Sequence, residues 1–185
     1  MFYLSGTVAV TNLHLAVMSH EHRARFEAML DEYRAAGEAG LYTGFYESAW
    51  DGYDAYRSTL ERLSRGAWPI PEIVPGETLF VMHGDRIVGE VYLRFRLTPA
   101  LEENGGNVGY QIRPSDRRRG YGTEALRLAL RRLREVGLSE ALITCDDGNA
   151  ASIRVIEKCG GRRIEDSRLR GKRRYIVALG EPGET

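Results

Sequence analysis

The chain has 185 residues, 43% of them hydrophobic and 28% charged, with 26 Lys+Arg against 26 Asp+Glu and a formal net charge of zero. That length and composition suit a single globular domain, taken here as residues 1–185, with enough apolar residues to bury a core. The balanced charge gives no bulk attraction for nucleic acid or an anionic membrane, so any affinity for phosphate has to be local.

Residues 1–10 carry no basic segment and do not read as a signal peptide, and no apolar run approaches the roughly 20 residues of a membrane span. A cytoplasmic location is the expectation. Residues 8–17 predict a strand, with Leu13, Leu15 and Val17 alternating. Ser19 can cap a helix to about residue 36, whose apolar face is Phe26, Met29, Leu30 and Tyr33. An aromatic stretch follows, with Tyr42, Phe45, Tyr46, Trp50, Tyr53 and Tyr56. Its last two tyrosines join Leu60 and Leu63 on one face of a predicted helix over 52–64. Gly66, Pro69, Pro71 and Pro75 mark a loop. Strands are predicted over 78–82 and 86–95, joined by His83-Gly84-Asp85 as a hairpin, and a loop through Pro99, Gly105 and Gly106 leads to a strand over 107–112. A helix over 123–136, a short buried strand over 141–145, a helix over 149–158 and two final strands over 162–167 and 173–179 complete the chain. The pattern is α/β around one sheet, with no internal repeat.

The richest stretch chemically is 107–123. A strand ends, Pro114-Ser115-Asp116 turn the chain, and Arg117-Arg118-Arg119-Gly120-Tyr121-Gly122-Thr123 opens a helix. Backbone N–H groups at a helix start have no intrahelical partner and sit at the positive end of the helix dipole. Gly120 and Gly122 let a ligand approach the backbone, and the arginines add charge at the rim. The combination is an anion site suited to a pyrophosphate. A dinucleotide-binding fingerprint needs a third glycine and a downstream acid, and a P-loop needs Gly-Lys-Ser/Thr; neither is present.

Arg117-x-x-Gly120-x-Gly122 resembles the acyl-CoA-binding motif of the GNAT superfamily of N-acetyltransferases. The segment Asn149-Ala150-Ala151-Ser152-Ile153-Arg154-Val155-Ile156-Glu157-Lys158-Cys159-Gly160 is similar to a pattern of its ribosomal-protein alanine and polyamine acetyltransferase branch. The resemblance covers residues 78–179, an acetyl-CoA-binding core, and leaves 1–77 as an acceptor-side segment. It implies the GNAT fold, a mixed, mostly antiparallel seven-stranded sheet flanked by about four helices, in which two strands splay apart around the cofactor.

It also implies roles. Backbone amides of residues 118–123, that is Arg118, Arg119, Gly120, Tyr121, Gly122 and Thr123, hold the CoA pyrophosphate beside Arg117. Tyr110, Gln111, Ile112 and Arg113 pair their backbone with the pantetheine arm, and the N–H of Tyr110 polarises the thioester carbonyl. Asn149 and Ser152 line the pantetheine and the departing sulfur; by its residue type Asn149 is equally a helix cap. The tyrosine that many members carry in this helix as a general acid is absent, the positions being Val155 and Ile156. The glutamate base of others is replaced by Gly105-Gly106-Asn107; the nearest acids are Glu102 and Glu103 on a loop, Glu90 on the preceding strand is another candidate, and water, a backbone carbonyl or an amine of low pKa would remove the need for a dedicated side chain. Tyr42, Tyr46 and Trp50 form a candidate acceptor wall.

The expected activity is acetyl transfer from acetyl-CoA, without a metal, to a primary amine of a small molecule or a peptide. The alternative is a non-catalytic acyl-CoA sensor. No nucleic-acid or membrane partner is expected, and similar proteins are commonly dimers, so a homodimer is compatible with this reading. Cys145 and Cys159 lack disulfide or zinc spacing, and the basic run Arg168 to Arg174 reads as a solvated turn.

Overall fold

The computed structural model describes residues 12–38, 51–66, 74–165 and 167–180. In chain order the elements are β1 (Leu13–Ala16), a 3₁₀ turn (His20–His22), α1 (Arg23–Ala35), α2 (Tyr53–Ser64), β2 (Gly76–His83), β3 (Arg86–Arg94) and α3 (Pro99–Glu103). Then come β4 (Val108–Ile112), a second 3₁₀ turn (Pro114–Asp116), α4 (Tyr121–Glu135), β5 (Glu140–Asp146), α5 (Ala150–Lys158), β6 (Arg162–Arg163) and β7 (Lys172–Ala178). The predicted order holds. The short α3 lies where the sequence predicts a loop; Thr98 caps it by accepting from the Leu101 N–H at 3.3 Å. β6 is far shorter than the expected 162–167.

The seven described strands form two sheets, β1-β2-β3-β4 and β5-β7-β6, and every ladder is antiparallel. The seven strands and the dominance of antiparallel pairing are as expected; the correction is that they divide into two sheets, with no parallel ladder among the described residues. Strand alternation sends the side chains of the larger sheet into two cores. Leu79 and Val81 of β2 join Leu126, Ala129 and Leu133 of α4 on one face, while Phe80 and Met82 meet Phe26, Met29 and Tyr56 of α1 and α2 on the other. Tyr53 and Tyr56 are thus core residues, as their helical spacing predicts, with Phe26 stacked on Tyr56 at 5.2 Å. Val88 is an extra residue in β3, a bulge that re-aims the strand beside Gly89. A Cβ on Gly89 would stand 2.2 Å from the Gln111 carbonyl oxygen, so this crossing needs glycine.

The two sheets meet where β4 begins. The Asn107 N–H donates to Leu142 O at 2.7 Å, and Asn107 Oδ1 accepts from the Leu142 N–H at 2.8 Å. The same side chain donates from Nδ2 to Arg94 O at 2.9 Å. Gly106, at φ +59, has its Cβ position 2.3 Å from Leu142 O, so the approach tolerates no side chain there. Beyond this clamp no ladder joins β4 to β5, and the space between them opens.

The loop after β4 is braced against α1. Arg113, 5% exposed, donates to Ile87 O and Ala28 O and pairs with Glu32 at 2.7 Å. Glu32 also accepts from the Ser115 hydroxyl at 2.7 Å. Burial raises the Glu32 carboxyl, but Arg113 and Ser115 outweigh it and hold it down at about 2.

Two outcomes follow from this bracing. Asn107→Ala leaves the Leu142 N–H and the Arg94 carbonyl without these partners and is expected to lower unfolding free energy by about 3 kcal/mol in urea melts; a loss under about 1 kcal/mol would mean that the clamp contributes little. Glu32 has a folded-state pKa of about 2, below that of a glutamate in the unfolded chain, so its contribution is present above the unfolded value and is lost as pH falls toward 2. Glu32→Gln should therefore flatten the stability-versus-pH curve in that window; a variant curve parallel to the parent's contradicts this.

Candidate active site

The opened space is a cleft of about 660 Å³ between β4, the start of α4 and the first turns of α5. Its lining includes Tyr110, Gln111, Ile112, Gly120, Gly122, Asn149 and Ser152. Three elements of the sequence-based site thus come together.

β4 presents a free backbone edge to it. Arg94 N–H donates to Asn107 O at 2.8 Å and Arg113 N–H donates to Val88 O at 2.9 Å, so residues 107, 109, 111 and 113 direct their backbone at β3. Antiparallel alternation then turns the N–H groups of Val108, Tyr110 and Ile112 outward, toward the cleft. Arg117 Nε reaches Ile112 O on that outer edge at 3.0 Å, which confirms the alternation.

The loop into α4 supplies the anion-binding part. Gly120 is the left-handed residue before the helix at φ 85, and Arg118 has φ 61. Non-glycine residues avoid this region, and such conformations turn successive N–H groups toward one point. The N–H groups of Gly120, Tyr121 and Gly122 have no acceptor among the described residues. Thr123, expected in the same cradle, instead donates its amide to Gly120 O at 3.1 Å. A Cβ on Gly122 would touch Val155, Ile112 and Tyr110 at 3.6 to 3.8 Å, so the cleft is narrow here.

The basic residues divide. Arg117 lines the cleft but is held by a bidentate ion pair with Glu38, at 2.5 and 2.8 Å, and lies over the Tyr33 ring. Arg119 pairs with Asp116, which is 2% exposed and also held by Arg86 at 2.8 Å. Arg113 turns its N–H to Val88 O and its side chain to α1, so it does not reach the cleft, which corrects the expectation that its backbone pairs with the pantetheine arm; only the strand register shows this. The Tyr121 side chain is likewise buried in the core and contributes only its amide.

Asn149 caps α5: its Oδ1 accepts from the Ser152 N–H at 3.0 Å. Tyr110 points its ring at α4 and α5. Its hydroxyl is enclosed toward Ser152 without a hydrogen bond of ordinary geometry, and burial pushes the phenol up to about 12. On the other face of the sheet Glu90 is 0% exposed and does not open on the cleft. It accepts from Tyr92 Oη at 2.9 Å, Gln111 Nε2 at 3.2 Å and Tyr56 Oη at 3.3 Å. Gln111 belongs to both places, lining the cleft and touching Glu90. Tyr92 escaped the sequence reading because it lies in an ordinary strand pattern, and its register beside Gly109 is visible only in the ladder. Arg154 and Lys158 also line the cleft; their four-residue spacing on α5 was the available signal. Tyr42, Tyr46 and Trp50 lie outside the described residues.

A second groove of about 650 Å³ runs between β1, α2 and α4, past Leu13, Leu15, Leu60 and Leu79. Arg132 and Glu77 there pair with each other at 2.7 Å, and no helix begins in it. It offers nothing comparable for an anion.

Comparison with known proteins agrees with the cleft. No curated protein matches the sequence. Similar solved structures include RimL, the ribosomal L7/L12 alpha-N-protein acetyltransferase in complex with coenzyme A, at TM-score 0.63 and 13% identity over 91% of this chain and 94% of that one. The microcin C7 self-immunity acetyltransferase MccE, in complex with acetyl-CoA and AMP, aligns at 0.62 and 14% over 91% and 93%. A ribosomal-protein-serine acetyltransferase homologue from Vibrio cholerae aligns at 0.57 and 18% over 91% and 94%. These likenesses establish the fold. Residues 45–162, more than half of the chain, match the model of the acetyltransferase (GNAT) domain, and the protein belongs to the GNAT acetyltransferase family.

Proposed function

We propose that the chain transfers the acetyl group of acetyl-CoA to a primary amine, on a small molecule or a protein N-terminus, by direct attack in a ternary complex. The observation that carries this reading is the pairing of two unsatisfied backbone surfaces on one cleft: the amides of Gly120, Tyr121 and Gly122, and the outer edge of β4. The first suits a pyrophosphate and the second an amide-bearing arm that adds like a strand. The family supports acetyl transfer, and RimL, a structural neighbour, is described as acting on a protein α-amine.

Acetyl-CoA, when bound, brings an activated thioester. In the step itself a neutral amine nitrogen bonds to the carbonyl carbon, the carbon–sulfur bond breaks, the nitrogen gives up a proton and the sulfur leaves as thiolate. The chain's part is placement and charge stabilisation. The outward N–H of Tyr110 is a fixed donor for the developing oxyanion. The Tyr110 phenol, raised to about 12 by burial, stays protonated at neutral pH and so keeps a proton to donate, toward the Ser152 side of the cleft. A thiol of ordinary pKa near 8.5 leaves without a dedicated acid, so Val155 and Ile156 are no obstacle. For the proton leaving the amine, Glu90 is the acceptor; since it is buried, the proton reaches it through the half-buried Tyr92 hydroxyl 2.9 Å away.

Acetyl-CoA titrated calorimetrically into the parent should bind, and into Gly120→Glu should bind at least about a hundredfold more weakly, because a carboxylate and a strained φ occupy the anion site. No binding by the folded parent would remove the reading. Glu90→Gln should lower kcat for amine acetylation by about a hundredfold or more and remove the acid limb of its pH profile, with acetyl-CoA affinity unchanged. A loss of under about threefold would exclude Glu90 as the proton acceptor.

A further inference from the structure

Neighbouring residues of β4 serve the two faces of the larger sheet. Tyr110 turns its N–H toward the cleft, while Gln111, whose backbone faces β3, carries its side chain to Glu90 and Tyr92. Gln111 Nε2 donates to Tyr92 Oη at 2.6 Å and to Glu90 Oε2 at 3.2 Å, and Tyr92 Oη donates to the same carboxylate oxygen at 2.9 Å. Tyr56 Oη reaches it from α2 at 3.3 Å. An ionised carboxylate only accepts, so the Gln111 amide must face Glu90 with its nitrogen. That orientation fixes the hydroxyl in turn. An amide nitrogen cannot accept, so Tyr92 Oη accepts from Gln111 and points its own proton at Glu90.

Gly109 makes room for this arrangement. It pairs with Tyr92 across the ladder, and a Cβ on it would stand 3.2 Å from Tyr92 Cδ2 and 3.7 Å from Tyr92 Cβ. The ring leans over the glycine toward position 111. The titratable groups that the described elements turn toward Glu90 are phenols: Tyr56 and Tyr53 of α2, Tyr33 of α1 and Tyr92 of β3. Burial raises Tyr33 and Tyr53, so they stay neutral at neutral pH. The Gln111 N–H dipole is therefore the part of this shell that β4 supplies to the carboxylate.

We propose that Gln111 is a positioning residue for the proton transfer: its amide aims the Tyr92 hydroxyl at Glu90 and holds Glu90 in its accepting, ionised form. The inference rests on the reading of Glu90 as proton acceptor and adds what orients it. As the amine proton passes to Tyr92 Oη, the Tyr92 proton passes to Glu90 Oε2, and the phenol ends neutral. Without the amide, β4 no longer holds that hydroxyl toward the carboxylate. The donor for the oxyanion and the residue that orients the base are then adjacent on one strand, so thioester and proton acceptor share a rigid frame.

The test compares the parent with Gln111→Met, which keeps the length of the side chain and removes the donor, and with Gly109→Val, which displaces the Tyr92 ring and leaves Glu90 and Gln111 in place. The first readout is the ¹³C carboxyl titration of Glu90, assigned with Glu90→Gln. A donor favours the ionised carboxylate, so Gln111→Met should move the midpoint to higher pH by at least about half a unit. The second readout is kcat against pH, with acetyl-CoA and the amine turned over fastest among peptides with a free α-amine and small primary amines. Both variants should lower kcat by about tenfold or more, and Gln111→Met should carry its acid limb to higher pH, with acetyl-CoA affinity by calorimetry within about threefold of the parent's. A Gln111→Met midpoint within about 0.2 units of the parent's would overturn the inference. So would a loss of activity that follows weaker acetyl-CoA binding alone, since Gln111 would then serve the cofactor. If Glu90→Gln retains the parent's acid limb, the reading of Glu90 itself falls. If the parent acetylates none of the amines, the transferase reading falls, and the carboxyl titration still decides whether Gln111 holds Glu90 ionised.

Discussion

The architecture depends on one amide side chain acting as a piece of backbone. Asn107 exchanges two hydrogen bonds with Leu142, one from its main chain and one to its side chain, and so joins two sheets that share no ladder. A continuous β4–β5 ladder would have consumed the outer N–H groups of β4. A clamp at one end leaves Val108, Tyr110 and Ile112 with their N–H groups outward, and Tyr110 and Ile112 line the cleft bounded by β4, the start of α4 and α5. Because Asn107 is buried, its four bonds to Leu142 and Arg94 are shielded from competing water, and the junction is held by groups that are expensive to leave unpaired.

Electrostatics is divided as strictly as hydrogen bonding. Around the loop from Arg113 to Gly120, the charges that shape the backbone neutralise one another: Arg113 with Glu32, Arg117 with Glu38, and Arg86 and Arg119 with the buried Asp116. Within that braced loop Arg118 sits at φ 61, a region a non-glycine residue avoids, while Gly120 takes φ 85 without strain. What remains toward the cleft is unbalanced in one direction: amides without an acceptor among the described residues, the positive end of α4, and Arg118, Arg154 and Lys158, which have no carboxylate partner among the described residues. A protein with zero net charge thereby presents a locally cationic site.

Much of this was legible in the sequence. The helical spacing of Tyr53, Tyr56, Leu60 and Leu63 identified a core face, and Gly120-Tyr121-Gly122 after a strand and a basic turn identified the anion site. Asn149 was legible as a cap because capping is local chemistry. The failures have one physical origin, since single-sequence patterns do not state which way a strand's pleat faces. Gln111 and Arg113 turn their backbone to β3, unlike Tyr110 and Ile112, although the sequence places all four alike along the cofactor; Gln111 still lines the cleft, and Arg113 does not. The bulge at Val88, the Asn107 clamp and the division into two sheets are long-range facts carried by Gly89, Gly106 and Leu142, residues with no distinctive local pattern. Arg154 and Lys158 sat inside a recognised segment, yet their free charge becomes evident only against the paired arginines around them.

The central claim is that the backbone of β4 and of the α4 start binds the cofactor. The most direct measurement is amide chemical-shift mapping of ¹⁵N-labelled protein titrated with CoA. The account predicts the largest shifts at Gly120, Tyr121 and Gly122, followed by Val108, Tyr110 and Ile112, with Gly109 and Gln111, which face β3, moving less. Shifts centred on the groove between β1, α2 and α4, with the Gly120–Gly122 amides unmoved, would contradict it.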